Sequence, residues 1–119
     1  MNKYRDKSDF EINKAVAEVL IQSGFIIGVK YHDKHILVMD MFANDYPFDP
    51  CNNPADAMPI IIEHKICMAY DVFAEEHDGG NWVAKPAYGF SNERVRGNNY
   101  YRAAMELFLM MKEAENEKI

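Results

Sequence analysis

The spacing of apolar residues in this chain switches repeatedly between the 3.6-residue period of a helix and the short runs of strands, and 119 residues leave room for one core to absorb them all. The first helical stretch opens at Ser8, an N-cap residue with Glu11 three positions on, the pairing of a capping box. Ile12, Ala15, Val16, Val19 and Leu20 then recur on one helix face, and Gly24 offers the left-handed backbone that ends a helix. Residues 25–31 and 35–41 are apolar and β-branched and flank the polar turn His32-Asp33-Lys34, which predicts a hairpin. Gly28 interrupts the first of these runs and suggests a bulge.

A loop over 42–53 follows. A second helix is predicted to start with Asn53 as N-cap, Pro54 at the first position and Asp56 in the first turn. Pro59 should kink it, and His64 and Lys65 suit its C-terminal end, where cations oppose the helix dipole. Strands are expected over 66–73 and 82–88 around a solvated turn at 75–81, with Pro86 marking the second as an edge strand or as its end. Residues 89–97 read as loop. The last helix is predicted from about 99 to 114, with Tyr100, Ala103, Ala104, Leu107, Phe108 and Met111 on one face. Residues 1–7 and 115–119 are expected to fray, and no internal repeat stands out.

The order α-β-β-α-β-β-α predicts an α+β fold: one antiparallel sheet of about four strands with three helices in a layered sandwich, a single domain over 1–119. An apolar content of 49% with 13% aromatics suffices for a core and excludes a disordered chain. The 13 Lys and Arg against 19 Asp and Glu give a net charge of −6, which argues against general nucleic-acid binding, because such affinity comes mainly from cations on phosphates. Cys51 and Cys67 read as reduced thiols, the polar start carries no signal peptide, and no apolar run reaches the length of a bilayer span. A cytoplasmic protein without membrane contact is expected.

One segment is distinctive: Cys51-Asn52-Asn53-Pro54-Ala55-Asp56-Ala57-Met58-Pro59-Ile60-Ile61. Ser8-Asp9-Phe10-Glu11-Ile12-Asn13-Lys14 and Val16-Ala17-Glu18 precede it, and Arg102-Ala103-Ala104-Met105 and Phe108-Leu109-Met110-Met111 follow. In order and separation these resemble the NinX-like phage proteins, with Met58 standing where the family pattern often has Trp. The resemblance implies a phage or prophage origin, expression in a bacterial host and an accessory rather than virion role; it carries over no catalytic residue. A weaker likeness to phage proteins named for an α–β–α sandwich domain implies the same layering.

Two constellations are candidates for binding. Asn52 and Asn53 lie at a helix start, whose exposed N–H groups can hold an anion, although a cap, an N1 proline and a dipole partner explain the same residues without a ligand. Between 85 and 102, Lys85, Arg94, Arg96 and Arg102 stand against Glu93 alone, a local charge of 4 − 1 = +3 on a remainder of −9. Trp82, Tyr88, Phe90, Tyr100 and Tyr101 are interleaved, and Asn98 and Asn99 add hydrogen-bonding groups. Arginines at a helix start can hold a phosphate while a ring stacks on a base. The plainer alternative is that these cations pair with the acidic remainder and the rings anchor the last helix.

The resulting expectation is non-enzymatic binding of a small anionic ligand such as a nucleotide, countering host defence, through Asn52, Asn53, Arg94, Arg96, Asn98, Asn99, Tyr100 and Arg102. Asn52, Asn53, Arg94, Arg96 and Tyr100 are expected to share one concave surface, with Tyr101 pointing outward. The alternative is an acidic protein–protein interaction module that modulates a host or phage protein. Alanine at Arg94, Arg96 and Arg102 should separate the two, abolishing anion binding only. Met105, Met110 and Met111 read as core, or as a face for a homo-oligomer through the last helix. His32 and His35 span a turn, and Asp45 and Asp49 share a loop, but neither pair makes a metal set, so no metal and no cofactor are expected. Pairings of Cys51 with His64, or Asp49 with His77, lack any motif that would place them together, and no catalytic residue is nominated.

Overall fold

The capping box at Ser8 forms as its residues dictate: Ser8 Oγ accepts from the Glu11 N–H at 3.2 Å, and the Glu11 carboxylate accepts from the Ser8 N–H at 3.4 Å. The computed structural model describes residues 2–24, 26–87 and 93–117. The elements are α1 (Asp9–Gln22), β1 (Gly28–His32), β2 (His35–Met39), β3 (Asp45–Pro47), α2 (Pro54–Glu63), β4 (Ile66–Tyr70), β5 (Trp82–Pro86), β6 (Val95–Gly97) and α3 (Tyr100–Glu117). Gly24 follows α1 with φ +83°, the left-handed stop. Phe25, Tyr88, Phe90 and residues 118–119 lie outside the described residues.

The fold is α+β with three helices, but the single sheet of about four strands is corrected to two antiparallel three-stranded sheets, β1-β2-β3 and β4-β5-β6. The missed strands are β3 and β6. Each is three residues long and carries Asp, Pro, Arg or Gly rather than an apolar alternation, so each is held by the ladder of its neighbour. The first hairpin runs in unbroken register from Gly28 opposite Met39 to His32 opposite His35, so Gly28 makes no bulge. Strands β2 and β4 stop short of the expected ends because Asp40 and Asp71 turn the chain. The Asp40 carboxylate accepts from the N–H groups of Phe42 and Asn44, and that of Asp71 from Phe73.

The helices are not outer layers on one sheet. α1 packs on β1 and β2, α3 packs on β4, β5 and β6, and the two helices pack on each other, so the pair lies between the sheets. α2 sits against α3 and β4. All residues from Ala103 to Leu109 are buried, which corrects the one-sided face expected of α3. The sequence does carry this signal, because Met105 and Leu109 add apolar residues off the main stripe, as befits a helix buried all round. Met105 is wholly buried, and Met110, Met111 and Tyr101 pack half-buried against the core, so Tyr101 does not point outward. The start of the chain, expected to fray, is tied down: Tyr4 is buried, and its hydroxyl donates to Glu113.

α2 begins as read, with Asn53 Oδ1 accepting from the Ala55 N–H at 3.0 Å, and it continues through the exposed Pro59. Lys65 closes its other end, with Nζ donating to the Ile62 carbonyl at 3.0 Å. His64 instead stacks on Phe108, ring centroids 4.7 Å apart. Burial there pushes its pKa below the ordinary 6.5, aided by Lys112 and opposed by Glu63 and Glu115. In the interval between the folded and unfolded values the unfolded chain binds more protons, so stability should fall as pH drops below about 6.5. Replacing His64 by Gln should flatten that part of the profile, read as urea midpoints between about pH 7 and pH 5.

Candidate functional site

The Cys51–Asp56 motif folds into a closed loop ahead of α2. The Asp49 carbonyl accepts from the N–H groups of Asn52 and Asn53 at 3.1 and 2.8 Å, and Asp56 Oδ2 reaches back to the Asp49 N–H at 2.9 Å. Cys51 is wholly buried, and its N–H donates to Asn13 Oδ1 at 3.0 Å. Asn13, a buried amide on α1, donates in turn to Asp49 Oδ1 at 2.7 Å. Burial and the nearby Asp9 carboxylate push the Cys51 thiol far up, so it is no nucleophile at neutral pH. His64 is engaged on Phe108, and His77 lies exposed beside Glu75 and Asp78.

The segments around 52 and 99 do meet. Asn52 Nδ2 donates to Asp9 Oδ2 at 3.1 Å, and its Oδ1 accepts from Asn99 Nδ2 at 3.4 Å. Asp9 Oδ1 accepts from Arg102 Nη1 at 2.7 Å. Arg102 also donates through Nε to Glu106 at 2.8 Å and through Nη2 to the carbonyls of Tyr4, Arg5 and Lys7. Burial opposes its charge, but Glu106 and Asp9 hold its pKa above the ordinary value. Asn99 caps α3, its Oδ1 accepting from the N–H groups of Tyr101 and Arg102 at 2.9 and 3.2 Å.

At this head of α3 a cleft of about 240 Å³ is lined by Arg5, Arg96, Asn98, Asn99, Arg102 and Glu106, with Gly79 and Gly97 in its wall. Arg96 is held by Asp71 at 2.8 Å and by the Gly80 carbonyl at 3.3 Å, and this guanidinium keeps the Asp71 carboxyl below its usual range. Gly80, at φ +134°, is required because a side chain there would run into the Gly97 backbone. Gly79, at φ +97°, lies under the Arg5 guanidinium. Glu106 is buried, and its second oxygen accepts from Asn2 Nδ2 at 2.6 Å.

Of the residues proposed from sequence, Arg96, Asn98, Asn99 and Arg102 therefore line one cleft, and Asn52 adjoins it through Asn99. Asn53 is taken up in capping α2, and Arg94 is exposed and lies outside the cleft lining. Tyr100 belongs to an edge-to-face aromatic chain in which Tyr70, Trp82, Tyr100 and Tyr101 follow one another at 4.9 to 5.0 Å between centroids. Of the rings read as a base-stacking surface, Trp82, Tyr100 and Tyr101 thus meet edge to face, and Tyr88 and Phe90 lie outside the described residues. Arg5 was missed. Its local sequence is polar and featureless, and only the tie of residues 4–7 to Arg102 places it here.

A larger groove of about 680 Å³ lies between the start of α1, β2 and residues 47–52. Phe10, Ile36, Leu37, Pro47 and Phe48 form its apolar lining; Lys34 and His35 stand at its hairpin end, and Asp9 and Asp49 near the loop. No three His, Cys, Asp or Glu side chains gather as metal ligands among the described residues, and no described helix is long and apolar enough to cross a membrane.

A family model described as Bacteriophage P22, NinX matches residues 3–112. No curated protein and no solved structure matches the chain.

Proposed function

The chain belongs to the Bacteriophage P22 NinX family, and from that premise we propose that it is a phage accessory protein that binds a small anionic ligand, such as a nucleotide, at the head of α3 without turning it over. The observation that carries this reading is Arg5. Among the described residues it makes no ion pair, yet its guanidinium is set over Gly79 beside Arg96 and Arg102, whose own carboxylate partners fix them in place. Asn98 adds an exposed amide. At about 240 Å³ the cleft is smaller than the roughly 300–1,000 Å³ that encloses a whole drug-sized ligand. It suits the phosphate end, with the rest of the molecule outside. Binding without turnover fits the inaccessible Cys51 thiol and a role in the host cytoplasm, the capture of a nucleotide signal used in host defence.

Thermal unfolding with a panel of mono-, di- and cyclic nucleotides and inorganic phosphate tests this. A ligand at 100 times its dissociation constant should stabilise the protein by about 2.7 kcal/mol. Arg5→Gln should abolish the gain while leaving the unliganded midpoint nearly unchanged, since an exposed, unpaired residue usually contributes within about 0.5 kcal/mol. A flat response to every compound at millimolar concentration would sink the reading.

A further inference from the structure

Two turns of this fold repeat the same device. Asp40-Met41-Phe42-Ala43 follows β2, and Asp71-Val72-Phe73-Ala74 follows β4. In each the Asp Oδ1 accepts from the Phe N–H, at 2.9 and 3.0 Å, and the Asp carbonyl accepts from the Ala N–H, at 3.1 and 3.3 Å. The geometry thrusts the two middle side chains outward: Phe42 is 76% exposed and Phe73 88%. The second turn is further braced, because Asp71 and Asn81 exchange backbone and side-chain hydrogen bonds and Arg96 grips the Asp71 carboxylate. An apolar side chain on a rigid base loses little freedom when it docks.

What the two tips dock on is decided by their flanks. Beyond Phe42 comes Asp45, whose carboxylate is held by Lys30 at 3.3 Å. Beyond Phe73 come the exposed Glu75, with the exposed His77 3.5 Å from its carboxylate, and the exposed Glu76. The large groove on this same chain matches the second tip at its hairpin end, where Lys34 and His35 adjoin the apolar lining; Asp9 and Asp49 at the loop end are taken up by Arg102 and Asn13. Its volume of about 680 Å³ exceeds that of a phenylalanine side chain several-fold. Phe73 does not reach it within its own copy, being 88% exposed.

We infer that two copies of this chain associate by seating the Val72-Phe73 tip of one in the groove of the other, with Glu75 and Glu76 against Lys34 and His35. Tip and groove are different surfaces, so two copies either exchange tips about a two-fold axis or add head to tail. None of these residues lines the cleft at the head of α3, so this contact and anion binding stand or fall separately.

Sedimentation equilibrium of the full chain from micromolar to millimolar concentration reads the contact as a mass rising above 13.8 kDa. Phe73→Ser should weaken association by about 30-fold, the effect of losing a central aromatic anchor. Phe42→Ser, at a nearly equally exposed tip without the acidic flank, should leave it unchanged. Lys34→Glu should weaken it about 5-fold, and combining it with Glu75→Lys and Glu76→Lys should restore it. A chain that stays monomeric throughout overturns the proposal, as do equal losses from Phe42→Ser or failure of the charge exchange to restore association. So does a wild-type monomer whose Phe73 is needed to bind some other protein, which would assign the tip to a different partner.

Discussion

Replacing Arg102 by Met should cost about 3–5 kcal/mol of folding stability, the loss expected when a buried ion pair is broken from one side. The Arg102 side chain is 18% exposed and its partner Glu106 only 7%. Without the guanidinium, the Glu106 carboxylate keeps one direct partner, the Asn2 amide, and residues 4, 5 and 7 lose the donor that binds their carbonyls. The start of the chain should then come loose, seen as rapid amide exchange over residues 3–7, and the urea midpoint should fall with it. Arg102→Lys should lie between, since an ammonium keeps the charge but not the planar fork that reaches Asp9, Glu106 and three carbonyls together. Arg102→Met with Glu106→Leu should cost less than the sum of the single changes. A loss below about 1 kcal/mol for Arg102→Met would show the network to be decorative. Alanine at Arg94, Arg96 and Arg102 together is accordingly a poor probe of anion binding, because it dismantles the fold around the cleft; Arg5 is the clean one.

Phe108→Ala should be comparably severe, at about 3–5 kcal/mol. Phe108 is the largest wholly buried side chain among the described residues and lies on the helix that the other two helices and the second sheet all contact. Truncation leaves a cavity that collapse from one side cannot fill, and His64 loses the ring it stacks on. Phe108→Leu should recover most of the loss, and in Phe108→Ala the His64 pKa should rise toward its unperturbed value, read by NMR titration, as water enters. Phe73→Ala, the same chemical change at an exposed tip, should change folding stability by no more than about 0.5 kcal/mol, read by urea unfolding. A small effect at Phe108 would contradict a helix enclosed between layers.

Family membership was legible because the Cys51–Ile61 segment and its two flanking segments keep their order along most of the chain, and the family match over 3–112 agrees. The candidate site was legible in part. Arg96, Asn98, Asn99 and Arg102 sit within seven residues and enter one cleft together because β6 leads directly into α3. Arg5 was not, because nothing near it in sequence records its neighbours.

Taken alone, the residues determined what is decided within one helical turn or one tight turn. Ser8 and Glu11 close the start of α1, Asn53 and Pro54 start α2, Asn99 caps α3, and Asp33 turns the first hairpin with φ +56°. In each, the donor and acceptor lie at most four positions apart, so the residue types specify the geometry. Only the tertiary structure decided the pairing of β3 and β6, the division into two sheets, and the enclosure of α3 between α1 and the second sheet. It also decided that Arg102 binds groups 93 to 98 positions away along the chain. Three-residue edge strands have no period of their own, and a guanidinium has no sequence mark for its partner. Both are settled by which distant surfaces the burial of α1 and α3 brings together.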